Sequence, residues 1–173
     1  MLSIFFFISC EKDNERFIID NPDVDTFVLQ LKDGTYDQYE VGENGEKLWT
    51  IMPKFKKEHI PLLINLAKDT SHISPCNHFP VNSISSIPPY RGFGEKPFII
   101  LGEYLLWCVE GIINEREFVS LTPLIYKGND YRELLNGKEI LELRQIYQDW
   151  WETYGKTEPI SKFPLEETDY HWR

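Results

Sequence analysis

The stretch Ile99 to Ile113 reads Ile-Ile-Leu-Gly-Glu-Tyr-Leu-Leu-Trp-Cys-Val-Glu-Gly-Ile-Ile, the most apolar run in the body of the chain. It is too short to cross a bilayer, which takes about 20 apolar residues. Two acids, Glu103 and Glu110, stand seven residues apart within it and therefore near one face of a helix. The run is expected to be the buried central helix of a small domain. At 173 residues the chain is long enough to bury a real core, and one domain is the default.

Working outward, the flanking patterns also look helical. Phe27, Val28 and Leu31 make a stripe that Asp23 or Asp25 can cap and Gly34 can end. Leu62, Leu63, Leu66 and Ala67 recur at three and four, which predicts a helix from Ile60 to Asp69 with Pro61 in its first turn. A last helical region is expected to start near Asp130 and to run through Ile140, Leu143, Tyr147 and Trp150. Trp150 and Trp151 are adjacent and point to different sides of a helix, so one suits the core and the other an exposed surface. Tyr36 to Glu46, with Gly42 and Gly45, reads as a turn-rich connection or a weak hairpin. The tail after Gly155 is expected to be extended.

Thr70 to Gly94 carries Pro75, Pro80, Pro88 and Pro89 and is rich in Ser and Asn, so no helix survives there. Ile73, Phe79, Val81 and Tyr90 are too apolar for a disordered linker, which predicts an ordered loop packed on the helices. The expected class is therefore mostly α: a single irregular helical domain, with stacked helix pairs as one arrangement of it, around a long ordered Pro/Ser-rich central loop. Helical patterns starting near Ile60, Gly102 and Glu139 have a spacing close to the ~40–47 residues of helical-hairpin repeats, although the sequences do not repeat.

A formal charge of -10 argues against nucleic acid and against a polybasic contact with anionic lipid. Cys10, Cys76 and Cys108 form no CxxC pattern, and Cys76 and Cys108 are expected as free thiols rather than a bridge.

At the N-terminus, Leu-Ser-Ile-Phe-Phe-Phe-Ile-Ser precedes Cys10, and a charged run with Glu11, Asp13 and Glu15 follows it. This resembles a bacterial lipoprotein signal, with residues 1–9 as the signal and Cys10 as the lipidated first residue of the mature chain. The resemblance implies a tether over 10–22, a domain over 23–173, and a membrane reached through the lipid; the charged run Glu11 to Arg16 is expected to be mobile. The acids after Cys10 resemble the tag that sends some lipoproteins to the outer face of the outer membrane. A further likeness covers roughly residues 55–127: Ile60-Pro61-Leu62-Leu63, then Phe79-Pro80-Val81-Asn82-Ser83-Ile84, then Leu101-Gly102-Glu103-Tyr104-Leu105-Leu106-Trp107, then Ser120-Leu121-Thr122-Pro123-Leu124. It resembles a family of uncharacterised bacterial lipoproteins with a domain of unknown function. That family implies an address and a mostly helical class, with no catalytic residue to carry over.

Candidate chemistry is sparse. Glu103 and Glu110 are expected to clamp the loop, with Arg91 or Lys96 as counter-charge, more than to do acid–base work. Asp69, His72, Cys76 and His78 carry zinc-ligating types in no zinc-finger spacing and are expected at the loop surface. Ser83, Ser85 and Ser86 lack a GxSxG or SxxK context, and their hydroxyls are expected to bond the loop backbone. Arg91 to Lys96 has two glycines without a P-loop and reads as a turn. The expectation is a non-catalytic envelope lipoprotein without metal or cofactor, contacting another envelope protein. The alternative is an envelope hydrolase or small-ligand binder that uses the 70–94 loop, Glu103 and Glu110.

Overall fold

The computed structural model describes residues 17–74, 78–86, 88–92 and 97–173. The expected signal, Cys10, Cys76 and Lys96 lie outside them. The first helix, α1 (Val24–Asp33), starts where the Asp23 side chain accepts the Thr26 N–H at 2.7 Å. It stops at Gly34, which adopts φ 69°. Both ends use the residues the sequence offered for them.

A hairpin follows, β1 (Tyr39–Val41) with β2 (Lys47–Thr50). Gly45 turns it at φ 82°, a conformation that side-chain-bearing residues avoid. A 3-10 turn at Lys57–His59 leads into α2 (Ile60–Leu66), which ends short of the expected Asp69. Next come β3 (His72–Ile73) and β4 (Ile99–Ile100), paired antiparallel across the loop between them. The central helix is α3 (Leu101–Ile113). After it come β5 (Ile125–Lys127), α4 (Gly137–Trp150) and β6 (Tyr170–Trp172), with β6 antiparallel to β5.

The mostly α expectation is overturned. Of the described residues, 35% are helical and 13% are in strands, so the fold is mixed α/β with three small antiparallel sheets. The difference starts inside the central stretch. Ile99 and Ile100 look like the first turn of its helix, but these β-branched residues pair with His72–Ile73 and leave the helix to start at Leu101. Strands of two to four residues are too short to print an alternating pattern on the sequence. The stack of helix pairs is also absent: α2, α3 and α4 pack on one another as a single cluster.

Two other expectations are corrected. The last helix starts at Gly137, because Asn136 and Glu139 form a capping box there; Asp130 instead turns its own loop by accepting the Arg132 N–H. Trp150 and Trp151 are both buried. After Trp150 the helix widens into a π turn at Trp151–Gly155, which carries the second ring inward with the first.

The core centres on α3, of which every residue but Ile112 is buried. Gly102 lets that helix touch the end of α2: its N–H donates to the Asp69 carbonyl at 2.8 Å, and a Cβ there would overlap the Ala67 carbonyl oxygen. Backbone cannot move aside as a side-chain tip can. Gly102→Ala is therefore expected to lower unfolding free energy by about 3 kcal/mol despite alanine's better helix propensity. Gly137→Ala, whose new methyl would lie 3.3 Å from Thr70 Cβ, is expected to cost less. Urea unfolding of the two variants checks the order.

Candidate functional site

Glu103 lies in the first turn of α3 and is fully buried. Its carboxylate receives the Arg91 guanidinium as a fork: Nη2 bonds Oε1, and Nε donates to Oε2 at 3.3 Å. The Ile125 N–H donates to the same Oε1 at 2.8 Å. Arg91 is itself buried, and its Nη1 donates to the Leu135 carbonyl. Arg91 is held in place by backbone bonds to Phe98 in both directions. Burial pushes the Glu103 carboxyl up, while the Arg91 charge and the Ile125 N–H oppose that shift. Each guanidinium nitrogen and each carboxylate oxygen of this pair has a partner within the chain.

Glu110 lies two turns further along α3, also buried. The Tyr147 hydroxyl donates to its Oε1 at 2.5 Å, and Asn114 Nδ2 donates to its Oε2 at 3.1 Å. The Trp172 indole N–H reaches the Tyr147 oxygen at 3.3 Å. Burial pushes the Glu110 carboxyl up, against the pull of these donors. Among the described residues no cation stands in this cluster, which separates it from Glu103. Tyr147, Asn114 and Trp172 were not singled out from sequence. Only Asn114 had a local signal, four residues after Glu110 on the same helix.

The remaining candidates do not converge. Asp69 is bound to Lys32 at 2.8 Å and to the Ser71 N–H at 2.9 Å. Against the opposing effect of burial, these partners hold its carboxyl at about 2. His72 is exposed and stacks on Phe98, with ring centres 3.8 Å apart. His78 faces the edge of the Tyr39 ring. Among the described residues no three His, Cys, Asp or Glu side chains form a metal set. Ser85 sits in a turn whose N–H bonds the Asn82 carbonyl, and Ser83 and Ser86 are exposed. Besides the Arg91–Glu103 fork, the loop is pinned by Tyr104, which donates to the Pro80 carbonyl at 2.7 Å, and by Thr50, which donates to the Phe79 carbonyl at 3.0 Å.

A groove of about 790 Å³ opens on another side of α3. Its apolar wall includes Met52, Phe55, Ile60, Cys108, Ile112 and Ile160. Its rim carries Lys54, Lys56, Lys57 and Arg116 together with Glu115, Glu117 and Glu158. Neither Glu103 nor Glu110 lines it, and none of the described residues of the 70–94 loop does. The Cys108 thiol is free and buried, and burial pushes its titration far up, away from thiolate chemistry.

Residues 18–173 match the model of a family described as a domain of unknown function, DUF4943, and the chain belongs to that family. No curated protein and no solved structure matches the chain.

The two acids are expected to respond oppositely to neutralisation. Glu103→Gln leaves the Arg91 charge buried without its partner and is expected to cost about 3–5 kcal/mol. Glu110 titrates above its ordinary 4.5 in the folded state, so the folded state holds its proton more tightly than the unfolded one. That contribution is complete below 4.5 and is lost as pH rises through the raised native value. Glu110→Gln is therefore expected to flatten the fall in stability between 4.5 and that raised value, and to match or exceed wild type at pH ~8. Urea unfolding from acid to mildly basic pH checks both, and a Glu110→Gln loss that grows with pH would refute the second.

Proposed function

We propose that this chain is a non-catalytic lipoprotein of the cell envelope, held at the outer membrane by lipid on Cys10 and acting as an interaction or assembly module. The observation that carries the non-catalytic half is the use of both buried acids. Glu103 and Glu110 are bound to the chain's own donors, and neither faces the groove. A general acid or base has to reach a substrate proton, and these two are enclosed. The hydrolase and loop-site reading has no comparable support.

The address rests on residues 2–15: an apolar run, a small residue before Cys10, then acids. Acyl chains contribute about 0.8 kcal/mol per buried methylene, so two or more hold a domain stably. The interaction half draws on the β1–β2 hairpin. Val41, Leu48 and Trp49 are all exposed there, and the two strands pair with no third strand among the described residues. Exposed apolar side chains grouped on one element mark contact surfaces more often than scattered ones do.

Mass spectrometry of the mature protein is expected to find acylated Cys10 at the N-terminus, and Cys10→Ser is expected to move the protein from the membrane to the soluble fraction. An unmodified Met1 in a cytosolic protein would refute the address. A photo-crosslinking residue at position 49 is expected to give an adduct of one defined mass in cells, and one at position 142, in exposed Glu142 on α4, is expected to give none. Equal adducts from both positions would refute the hairpin as the contact.

A further inference from the structure

The groove beside α3 has features that an interaction module does not need. Ile112 is the one residue of α3 that is not buried, and it opens onto this groove. The wall beside it is built by close backbone approach: a Cβ on Gly111 would lie 2.9 Å from the Arg116 carbonyl oxygen, so only glycine lets the 111–117 turn fold down there. The Arg116 N–H closes that turn by donating to the Gly111 carbonyl at 2.9 Å. The volume of about 790 Å³ falls within the range of small-molecule sites.

Charge at the rim is close to balanced, Asp20 on Lys54 included, whereas the rest of the chain is acidic. The whole sequence has 18 basic and 28 acidic residues, whereas the groove is lined by four basic and three acidic ones. Lys54 is paired with Asp20 at 2.6 Å and Lys57 with Glu158 at 2.5 Å. Among the described residues Lys56 and Arg116 are in no ion pair, and both are exposed. Glu115 and Glu117 on the same turn repel an anion from their own side and so restrict where a negative head can sit.

The geometry points to a binding site for a single-chain anionic amphiphile of the fatty-acid class, its tail along the partly exposed Phe55, Ile112 and Ile160 and its head at Lys56 and Arg116. The apolar wall supplies most of the affinity, since a buried methylene contributes about 0.8 kcal/mol. Lys56 and Arg116, exposed and in no ion pair among the described residues, select the sign of the head. This site is independent of acylation at Cys10, and it holds or fails whether or not the chain is membrane-anchored.

The test uses the full chain carrying Cys10→Ser, purified without detergent, and titrates it with dodecanoate, dodecanol and dodecylammonium. Dodecanoate is expected to bind at least tenfold tighter than either of the others and to shift the NMR methyl signals of Ile112 and Ile160. The Lys56→Glu/Arg116→Glu variant, changed only at exposed side chains, is expected to weaken dodecanoate at least tenfold. Ile160→Glu is expected to weaken all three ligands. No binding of dodecanoate, equal binding of the three, or a preference for the ammonium would overturn the proposal. So would unchanged affinity in the double variant, or binding that leaves Ile112 and Ile160 unshifted.

Discussion

Arg91 and Glu103 form an ion pair inside the most apolar part of the molecule, and four segments meet on it. The pair joins the first turn of α3, the end of the Pro-rich loop at Arg91, the start of β5 through the Ile125 N–H, and the connection before α4 through the Leu135 carbonyl. Replacing such a pair with apolar residues of the same shape often costs nothing, whereas removing one partner strands a charge. Its value here is therefore positional. The described residues of the Pro-rich loop have little regular structure of their own, and a two-pronged bond to a rigid helix fixes where the end of the loop at Arg91 lies.

Glu110 does related work at the other end of the helix by different chemistry. It gathers Tyr147 from α4 and, through the Tyr147 oxygen, Trp172 from the C-terminal strand. The strand pair β5–β6 then brings the tail back beside the segment that Glu103 holds. The Thr122 N–H and the Arg173 N–H add backbone bonds at the same seam. The small sheets thus serve to bind loop and tail onto a helical cluster, and none forms a layer of its own. A carboxyl without a cation is tolerable at this position because three neutral polar groups share the cluster and the acid's proton is held more tightly in the fold.

What could be read in advance follows from how local each signal is. The ends of α1 were legible because caps act within a few residues: Asp23 on Thr26, Gly34 on Gln30. The importance of Ile99–Ile113 and the burial of its acids were legible from composition alone, as was Arg91 as a candidate counter-charge. Outside the 39–50 hairpin the strands were not, since His72–Ile73 and Tyr170–Trp172 are defined by partners 26–28 and 43–47 residues away in sequence. The inward turn of Trp151 was equally hidden, because a π turn shifts helical phase without a residue type that announces it. The groove was invisible for the same reason: its walls come from three separate stretches, 51–60, 108–117 and 158–163.

The placement of that groove follows from the burial of α3. A helix that is apolar all round has to be covered on every side, and here the loop, α2, α4 and the β5–β6 pair cover most of it. Near Gly111 the covering thins, because the chain turns back sharply at Arg116 instead of running across the helix. Apolar surface left open at such a point is costly in water at about 25 cal/mol per Å². The polar networks of Glu103 and Glu110 fix the remaining elements against α3, so none is free to slide over and close the gap. Rigid polar anchoring on two sides and an unfilled apolar wall on the third are thus consequences of one arrangement, and the wall is where the molecule has affinity to spare.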